Sequence, residues 1–575
     1  MVLALLLALA GPAEIAANAQ TPNGTTAVRK PAASVRPATA LRATATPRKR
    51  LTRAPAARAA AATRPGRQPT AGTVSRSATA AKASARRHAT RTSSQRPVVA
   101  ARRPGAAALP VLEARTPFGL DNLRADLGSL AGTSIRSGSW GMMVVSLSHG
   151  DTLFSVNPDV GHVPASTQKL LTSVLALDAL GPQFRFHTDV LRSGQLIDGK
   201  LDGDLILRGD GDPTLSMRFM GRRPDAAMDS LAARVVAAGV REVTGRVIGD
   251  ASAFESRSIP EGWHPRILQD AYAARVSALS LNENLLWVTI RPTSRGSAAQ
   301  VVLEPASAAI PLSASVRTVG GSGAPLRISR NSGTGRITVT GSIGVSAGPR
   351  SFSYVVEDPA SFTTGAFLSA LQRHGVKVGQ GMALARTPAG AEPVASWTSL
   401  PLDAMLTVMN RESVNVIAEH LFRAASRGSG RQLTGSAFAG DSSLRHLLQR
   451  TAAMPRDGIR ALDGSGLSQL DRVTPRTMVQ LLGWADRASW GPLFHSSLPL
   501  AGESGTLRRR MFATTAQTNL HAKTGTTNDV IALAGYVTAR NGELLAFSMT
   551  YNGADRWRAR EAIDAIGVTL ANWAR

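Results

Sequence analysis

A serine and a lysine stand three residues apart in the segment VPASTQKLLTS, residues 163–173. Positions i and i+3 share one face of an α-helix, so a helix beginning near Ser166, just after Pro164, would bring the Lys169 amine to the Ser166 hydroxyl. The helix dipole favours an alkoxide at that end, and a lysine buried among apolar neighbours loses its proton readily. The pair therefore predicts a serine nucleophile, Ser166, activated by a lysine base, Lys169.

Lysine is rare in this chain, which makes its positions informative. The sequence contains 59 arginines and seven lysines, and only Lys169, Lys200, Lys377 and Lys523 follow residue 108. Because arginine cannot release its proton in a protein, a position that needs a neutral amine must be lysine. The alternative is that Ser166 caps the helix and Lys169 reaches solvent, since Ser-x-x-Lys alone is a weak signal.

A second group of polar residues follows in the segment HAKTGTTND, residues 521–529. If this segment is a strand of the same sheet, Thr524 and Thr526 would offer hydroxyls to a carboxylate. Gly525 would let a substrate backbone approach, and the charge of Lys523 would lower the pKa of Lys169. The alternative is an ordinary strand with a solvated lysine.

A Ser-x-Asn pattern supplies the third element, but it occurs at four places in the chain. The pattern at Ser413-Val414-Asn415 is preferred because it lies between two helical stretches and between the other two motifs. A serine there could pass a proton to a leaving amine, and the Asn415 amide could hold a substrate carbonyl.

The elements that must position these residues follow from periodicity. Helical spacing recurs at 120–132, 402–426 and 474–488, and 530–552 predicts a hairpin with a tight turn at Asn541-Gly542. Short Val/Ile/Leu strands separated by turn residues fill 191–397. The predicted fold class is α/β: an antiparallel sheet flanked by helices, interrupted by a β-rich insertion of one or two subdomains. The catalytic domain would then comprise residues 109–190 and 398–575.

The first 108 residues differ in composition from the rest. Residues 1–19 have a short apolar core and end in Ala17-Asn18-Ala19, which predicts a secretory signal peptide. Residues 20–108 carry 19 of the basic residues and no acid, so they predict a disordered basic tether. It could bind anionic envelope polymers or lipid head groups, and the alternative is a linker without a binding role. Because the net charge of +27 is concentrated there, it does not indicate nucleic-acid binding.

Together the three motifs resemble those of the penicillin-recognising serine enzymes. The similarity is greatest to the D-alanyl-D-alanine carboxypeptidase/endopeptidases, the class C low-molecular-mass penicillin-binding proteins, which have a long insertion between the first two motifs. Here 247 residues separate Ser166 from Ser413. Further landmarks of that branch occur as GDLILRGDGDPTL, ARVSALSLNENLLWV, DGSGLSQLDRVTP and LAGESGTLRRR. The branch commonly has Asp or Asn where this chain has Val414.

The resemblance implies a DD-peptidase fold and a two-step acyl transfer on peptidoglycan stem peptides, without metal or cofactor. Ser166 would attack the penultimate D-alanine with Lys169 as base, and Ser413 would protonate the leaving amine. The implied substrate-binding residues are Asn415, Lys523, Thr524, Gly525 and Thr526.

The same resemblance implies inhibition by β-lactam antibiotics, and the predicted signal peptide implies secretion across the inner membrane to the periplasm or cell envelope. Two alternatives remain open at this point. A serine β-lactamase shares the motif set, and a non-catalytic peptidoglycan-binding envelope protein could retain the motifs without activity.

Overall fold

The computed structural model describes residues 113–132, 137–221, 223–331, 333–428, 433–451 and 456–575. The predicted signal peptide, 1–19, and the predicted tether, 20–108, lie outside these ranges. Within them no helix is long and apolar enough to cross a membrane.

The helices of the described residues include those predicted from helical spacing. The bounds are α1 (Leu120–Gly132), α2 (Gln168–Leu180), α3 (Ala226–Ala237), α4 (Pro359–Arg373), α5 (Leu402–Glu412), α6 (Asn415–Gly428), α7 (Ala437–Arg450), α8 (Pro475–Arg487), α9 (Gly491–Ser497) and α10 (Arg556–Asn572). The predicted helical run 402–426 is thus two helices, α5 and α6, separated at Ser413.

The strands divide between the predicted catalytic segments and the predicted insertion. Their bounds are β1 (Ser139–Ser146), β2 (Thr152–Val156), β3 (His187–Ile197), β4 (Lys200–Gly209), β5 (Glu242–Val243), β6 (Val247–Asp250), β7 (Leu285–Arg291), β8 (Gln300–Glu304), β9 (Leu312–Val319), β10 (Leu326–Arg330), β11 (Ile337–Gly344), β12 (Arg350–Val355), β13 (Lys377–Val378), β14 (Met382–Leu384), β15 (Glu392–Thr398), β16 (Ile459–Arg460), β17 (Arg472–Val473), β18 (His521–Thr526), β19 (Val530–Thr538) and β20 (Leu544–Asn552).

A five-stranded antiparallel sheet in the order β18-β19-β20-β1-β2 joins the two ends of the described chain. Successive side chains of a strand point to opposite faces, and β1 shows this directly. Met142 and Val144 pack with α1 and α10, whereas Met143 packs with the core of α2, α5, α6 and α8. The sheet is therefore covered by helices on both faces, which confirms the predicted fold class.

The hairpin of β19 and β20 closes differently from the predicted two-residue turn. The Ala539 N–H donates to the Glu543 carbonyl at 2.8 Å, and the Gly542 N–H donates to the Ala539 carbonyl at 2.9 Å. Gly542 has φ of 86°, in the left-handed region that glycine tolerates. This is a three-residue connection with the glycine at its last position, which also fits the twist of the strands.

The segment between β3 and β15 has its own core and sheets. Strands β13, β5, β4, β3 and β15 form a mixed sheet that β6 and β14 extend, and two three-stranded sheets have the orders β12-β7-β8 and β10-β11-β9. Helices α3 and α4, which the β-rich reading of 191–397 omitted, bury their apolar faces in the same core. Asp358 caps α4 by accepting from the Ser361 N–H at 3.0 Å.

Trp573, which directly follows α10, connects the end of that helix to the residue before α1. Its side chain is fully buried, and its Nε1–H donates to the Gly119 carbonyl at 3.1 Å. Trp573→Ala should lower the free energy of unfolding by about 3–5 kcal/mol, the usual cost of emptying a buried tryptophan site. Urea denaturation followed by circular dichroism measures this. Trp557→Ala is the matched control, because Trp557 is 64% exposed, and an equal loss in both variants would contradict the prediction.

Candidate active site

Ser166 lies in a strained, tightly enclosed turn at the start of α2. A 3₁₀ turn, Ala165–Thr167, precedes the helix, and the buried Ala165 has φ of 46°, a left-handed conformation that costs about 1–3 kcal/mol in a residue other than glycine. Gly466 permits this turn, because a Cβ there would lie 1.8 Å from the Ala165 carbonyl oxygen. The hydroxyl of Ser166 is therefore held by packing as well as by the helix, and it faces a cleft.

Lys169, the second residue of α2, is fully buried and contacts three polar groups. Its Nζ lies 3.0 Å from Ser166 Oγ, 2.6 Å from Asn415 Oδ1 and 2.8 Å from the Ser465 carbonyl oxygen. Burial lowers the pKa of Lys169 to about 7, while Asp463 and Glu419 act in the opposite direction. A neutral amine is thus accessible near neutral pH, within proton-transfer distance of the serine hydroxyl.

The acidic groups that oppose this shift come from segments far from Lys169 in sequence. The Asp463 carboxylate accepts the N–H groups of Gly466 at 2.6 Å and Ser468 at 2.7 Å, and the Trp263 Nε1–H at 2.7 Å. These bonds fold residues 463–468 into the loop that presents the Ser465 carbonyl to Lys169. The segment DGSGLSQLD was noted in the sequence only as a family landmark, and its positioning role was missed.

Glu419 supports the same loop from α6. It accepts from the Ser465 N–H at 2.9 Å and from Arg423 Nη1 at 2.8 Å, and both side chains of the ion pair are buried. Burial raises the pKa of Glu419, and the positive charge of Arg423 opposes that rise. The backbone carbonyl that Lys169 contacts is therefore fixed from two sides.

Ser413 occupies the break between α5 and α6, as the sequence predicted. Its φ of 59° and ψ of 40° are left-handed, which ends α5 and lets α6 begin at Asn415. Lys523 Nζ donates to Ser413 Oγ at 2.8 Å and to the Thr524 carbonyl at 2.9 Å. The second and third motifs are thus joined by a direct hydrogen bond.

The cause of the lowered pKa of Lys169 differs from the prediction, which named the charge of Lys523. Burial is the first cause of the lowered Lys169 pKa, not the charge of Lys523. The pKa of Lys523 is held well below its ordinary value, first by burial and then by the charge of Lys169. Burial therefore lowers the pKa of both amines, and the charge of Lys169 lowers the pKa of Lys523 further.

Asn415 connects the site to the inserted segment. Its Oδ1 accepts from Lys169, and its Nδ2 donates to the Tyr272 carbonyl at 2.7 Å. Val414, where relatives commonly have a polar residue, is partly buried against the helical core. The departure from the family pattern therefore places an apolar side chain in a packing position and leaves the contacts of Ser413 and Asn415 in place.

The third motif lies on β18 at the edge of the sheet. Thr524 Oγ1 donates to Thr506 Oγ1 at 2.8 Å, while Thr526 is exposed. A Cβ at Gly525 would lie 2.7 Å from the Pro164 carbonyl oxygen. The glycine therefore lets the turn before Ser166 approach β18, and its role in admitting a substrate backbone stays a prediction.

A cleft of about 380 Å³ opens beside the three motifs. Its lining also includes residues outside the three motifs. Two of them belong to the landmark LAGESGTLRRR, namely Thr506 and Arg510, and four were not selected from the sequence: Ile531, Arg556, Trp557 and Arg560. Asn415 and Lys523 do not line it. Ser166 and Ser413 face this cleft with Thr524 and Thr526, so the hydroxyl groups of the site are the groups that a bound molecule would meet.

Comparisons with known proteins agree with this geometry. Residues 123–573 match the D-Ala-D-Ala carboxypeptidase 3 (S13) family. A D-alanyl-D-alanine carboxypeptidase of an Actinomadura species is 35% identical over 486 residues, covering 81% of this chain and 88% of the relative. The D-alanyl-D-alanine carboxypeptidase DacB of Haemophilus influenzae is 27% identical over 420 residues, covering 72% and 85%.

The solved structures support the same assignment. Penicillin binding protein 4 from Haemophilus influenzae superimposes with a TM-score of 0.64 at 26% identity, covering 76% of this chain and 98% of that one. The same protein complexed with a novel β-lactam gives a TM-score of 0.59 at 25% identity, covering 77% and 98%. The chain therefore belongs to the D-Ala-D-Ala carboxypeptidase 3 (S13) family, which confirms the predicted resemblance, and it is a serine-type D-alanyl-D-alanine peptidase.

Proposed function

We propose that Ser166 is the nucleophile acylated in this peptidase and that Lys169 is its general base. The observation that carries the proposal is the 3.0 Å separation of Lys169 Nζ from Ser166 Oγ, with the amine fully buried and its pKa lowered to about 7. A base whose pKa lies near the operating pH combines a useful neutral fraction with enough basicity to accept the proton. Arginine could hold the charge at this position but could not act as the base.

In acylation, Ser166 Oγ attacks the carbonyl carbon of the penultimate D-alanine while its proton passes to Lys169 Nζ. The backbone N–H groups of Ser166 and Thr526 stabilise the oxyanion. The first turn of a helix leaves N–H groups such as that of Ser166 without intrahelical acceptors, and Thr526 ends β18, the edge strand of the sheet. The C–N bond then breaks, and the leaving amine takes a proton through Ser413. The hydrogen bond from Lys523 Nζ to Ser413 Oγ supports this relay.

Some residues bind the substrate by direct contact, and Lys523 acts on it by its charge. Thr524 and Thr526, whose side chains line the cleft, bind the terminal carboxylate, with Gly525 fixing their strand against the Ser166 turn. Lys523 is fully buried and hydrogen-bonded to Ser413, so it acts on the carboxylate by its charge and through that hydroxyl. Asn415 orients the peptide on the other side of Ser166. Water hydrolyses the acyl-enzyme. A β-lactam also forms an ester with Ser166 Oγ, but that ester is hydrolysed slowly.

The nucleophile and base are tested by the acylation rate with fluorescent penicillin. Ser166→Ala should give no covalent adduct, because the attacking oxygen is gone. Lys169→Arg should lower the acylation rate constant by about 10²–10⁴, the usual contribution of a general base. Gel fluorescence over a time course, with intact mass spectrometry of the adduct, measures both.

The matched control is Lys377→Arg, the same substitution at an exposed position, which should label like wild type. A fully active Lys169→Arg enzyme would contradict the role of Lys169. The time course also separates the alternatives: a lasting adduct supports the peptidase, an adduct lost within seconds supports a β-lactamase, and no adduct supports a non-catalytic binder.

The lowered pKa of Lys169 predicts a pH dependence. The base works as the neutral amine, so the acylation rate constant should rise with pH through about 7 and level off above it. Below that value it should fall about tenfold per pH unit, because the neutral fraction falls by that factor. Stopped-flow acylation with circular dichroism at each pH measures this. A rate constant independent of pH across neutrality, with the fold intact, would contradict the assignment.

We propose that the protein is exported to the periplasm or cell envelope after removal of residues 1–19. The small-x-small pattern Ala17-Asn18-Ala19 and the basic composition of 20–108 support this, and the latter segment would bind anionic envelope polymers or lipid head groups. N-terminal sequencing of the protein from the envelope fraction should begin at Gln20. An intact N-terminus on cytoplasmic protein would contradict export.

A further inference from the structure

We propose that Arg556, Trp557 and Arg560 of α10 form a rim that binds the leaving half of a cross-linked substrate, an acidic stem peptide. The enzyme would then cleave cross-links in preference to single stem peptides that release one D-alanine. This inference rests on the proposed function, because it takes the Thr524 and Thr526 hydroxyls as the site of the terminal carboxylate.

The cleft places the rim on the leaving-group side of Ser166. It extends from Ser166 past Thr524 and Thr526 to the first turns of α10. Asn415, which would orient the acyl half, is not part of its lining, and its Nδ2 donates to the Tyr272 carbonyl of the insertion. A peptide that continues beyond the carboxylate subsite therefore runs towards α10.

Both rim arginines line that path, and Arg556 is tied to the end of β18. Arg556 Nη1 donates to the Thr527 carbonyl at 3.3 Å, immediately after the last residue of β18. Arg560 follows four residues later, so it lies one helical turn along the same face of α10. Both side chains line the cleft together with the catalytic serine.

The charge of the cleft is unbalanced. Among the described residues, three arginines line it and no aspartate or glutamate does. Arg510 is neutralised by the buried Asp564, to which its Nε donates at 2.8 Å. In the part of the chain that the structure describes, no carboxylate lies within ion-pair distance of Arg556 or Arg560, so two positive charges at the cleft are available to a ligand.

Trp557 adds an apolar surface beside these charges. Its side chain is 64% exposed, and the Arg556 guanidinium lies 5.3 Å from its ring centroid. An exposed tryptophan flanked by arginines is a typical anchor in peptide recognition, since the ring offers contact area and the arginines offer paired donors. Its exposure is explained if a ligand covers it.

The chemistry of the rim selects the acidic leaving peptide. A single D-alanine carries one carboxylate, which the threonines bind, and it has nothing to offer two further guanidinium groups. The leaving half of a cross-link is itself a stem peptide with additional carboxylates. Neutral sugars of a glycan strand could stack on Trp557, but they would leave the arginines without a counter-charge.

The test compares two substrates that share the acyl half, one releasing D-alanine and the other a purified cross-linked dimer releasing a tetrapeptide stem. The full chain is assayed as wild type and as the double variant Arg556→Gln/Arg560→Gln. The ratio of kcat/KM for the dimer to that for the single stem should fall about five- to tenfold in the variant, given two exposed charge contacts. In wild type the ratio should also fall with added salt.

Arg558→Gln is the matched control, because Arg558 pairs with Asp555 and does not line the cleft. An unchanged ratio in the double variant would overturn the rim. So would a loss that persists when the carboxylates of the leaving half are amidated, except the one that Thr524 and Thr526 bind. A loss seen only when the dimer carries its disaccharides would also overturn the rim and indicate a glycan site. Penicillin acylation of the wild-type enzyme tests the proposed function separately. If penicillin does not acylate the enzyme, the proposed function is wrong. If penicillin does acylate it and the substrate ratio is unchanged in the double variant, only the proposal of the rim is wrong.

Discussion

Two lysine amines share one buried region at the centre of the site, and the structure depends on how their charge is balanced. An ammonium removed from water is costly, and a second one nearby adds repulsion. Asp463 and Glu419 offset part of that cost for Lys169 without contacting its amine, because the contact is made by the Ser465 carbonyl. The result is an amine that can exist in either protonation state. A directly paired carboxylate would have kept it charged and useless as a base.

This balance is maintained by backbone that is held in unfavourable conformations. Ala165 and Ser413 both have positive φ, and each precedes or carries a reactive side chain. Such residues persist only where the surroundings fix them. At Ala165, Gly466 and Gly525 provide that support by allowing close backbone approach from two different segments. The arrangement of the site residues therefore depends on contacts between distant segments, and no single segment is sufficient to produce it.

Residue chemistry and periodicity were enough to predict the three motifs and the elements that bear them. The Ser-x-x-Lys spacing implied α2, and the break at Ser413 and the hairpin of β19 and β20 followed from local pattern. What could not be predicted depends on tertiary contact. Three features arise from segments that meet only on folding. They are the loop at Asp463, the closeness of Gly525 to Pro164, and the relative contributions of burial and charge to the lowered pKa values of the two lysines. Helices α3 and α4 did have helical spacing, for example at Met228, Leu231 and Val235, but the turn-rich sequence around them concealed it.

The single hydrogen bond between Asn415 and the Tyr272 carbonyl has an evolutionary consequence. It fixes which end of the amide faces Lys169, since an amide rotated by half a turn would present its N–H groups to the lysine. A descendant that lost the inserted segment would lose the acceptor that sets this orientation. Deletion would therefore alter the protonation chemistry of Lys169 even if the catalytic sheet folded normally. The insertion therefore supplies a contact on which the orientation of the Asn415 amide beside Lys169 depends.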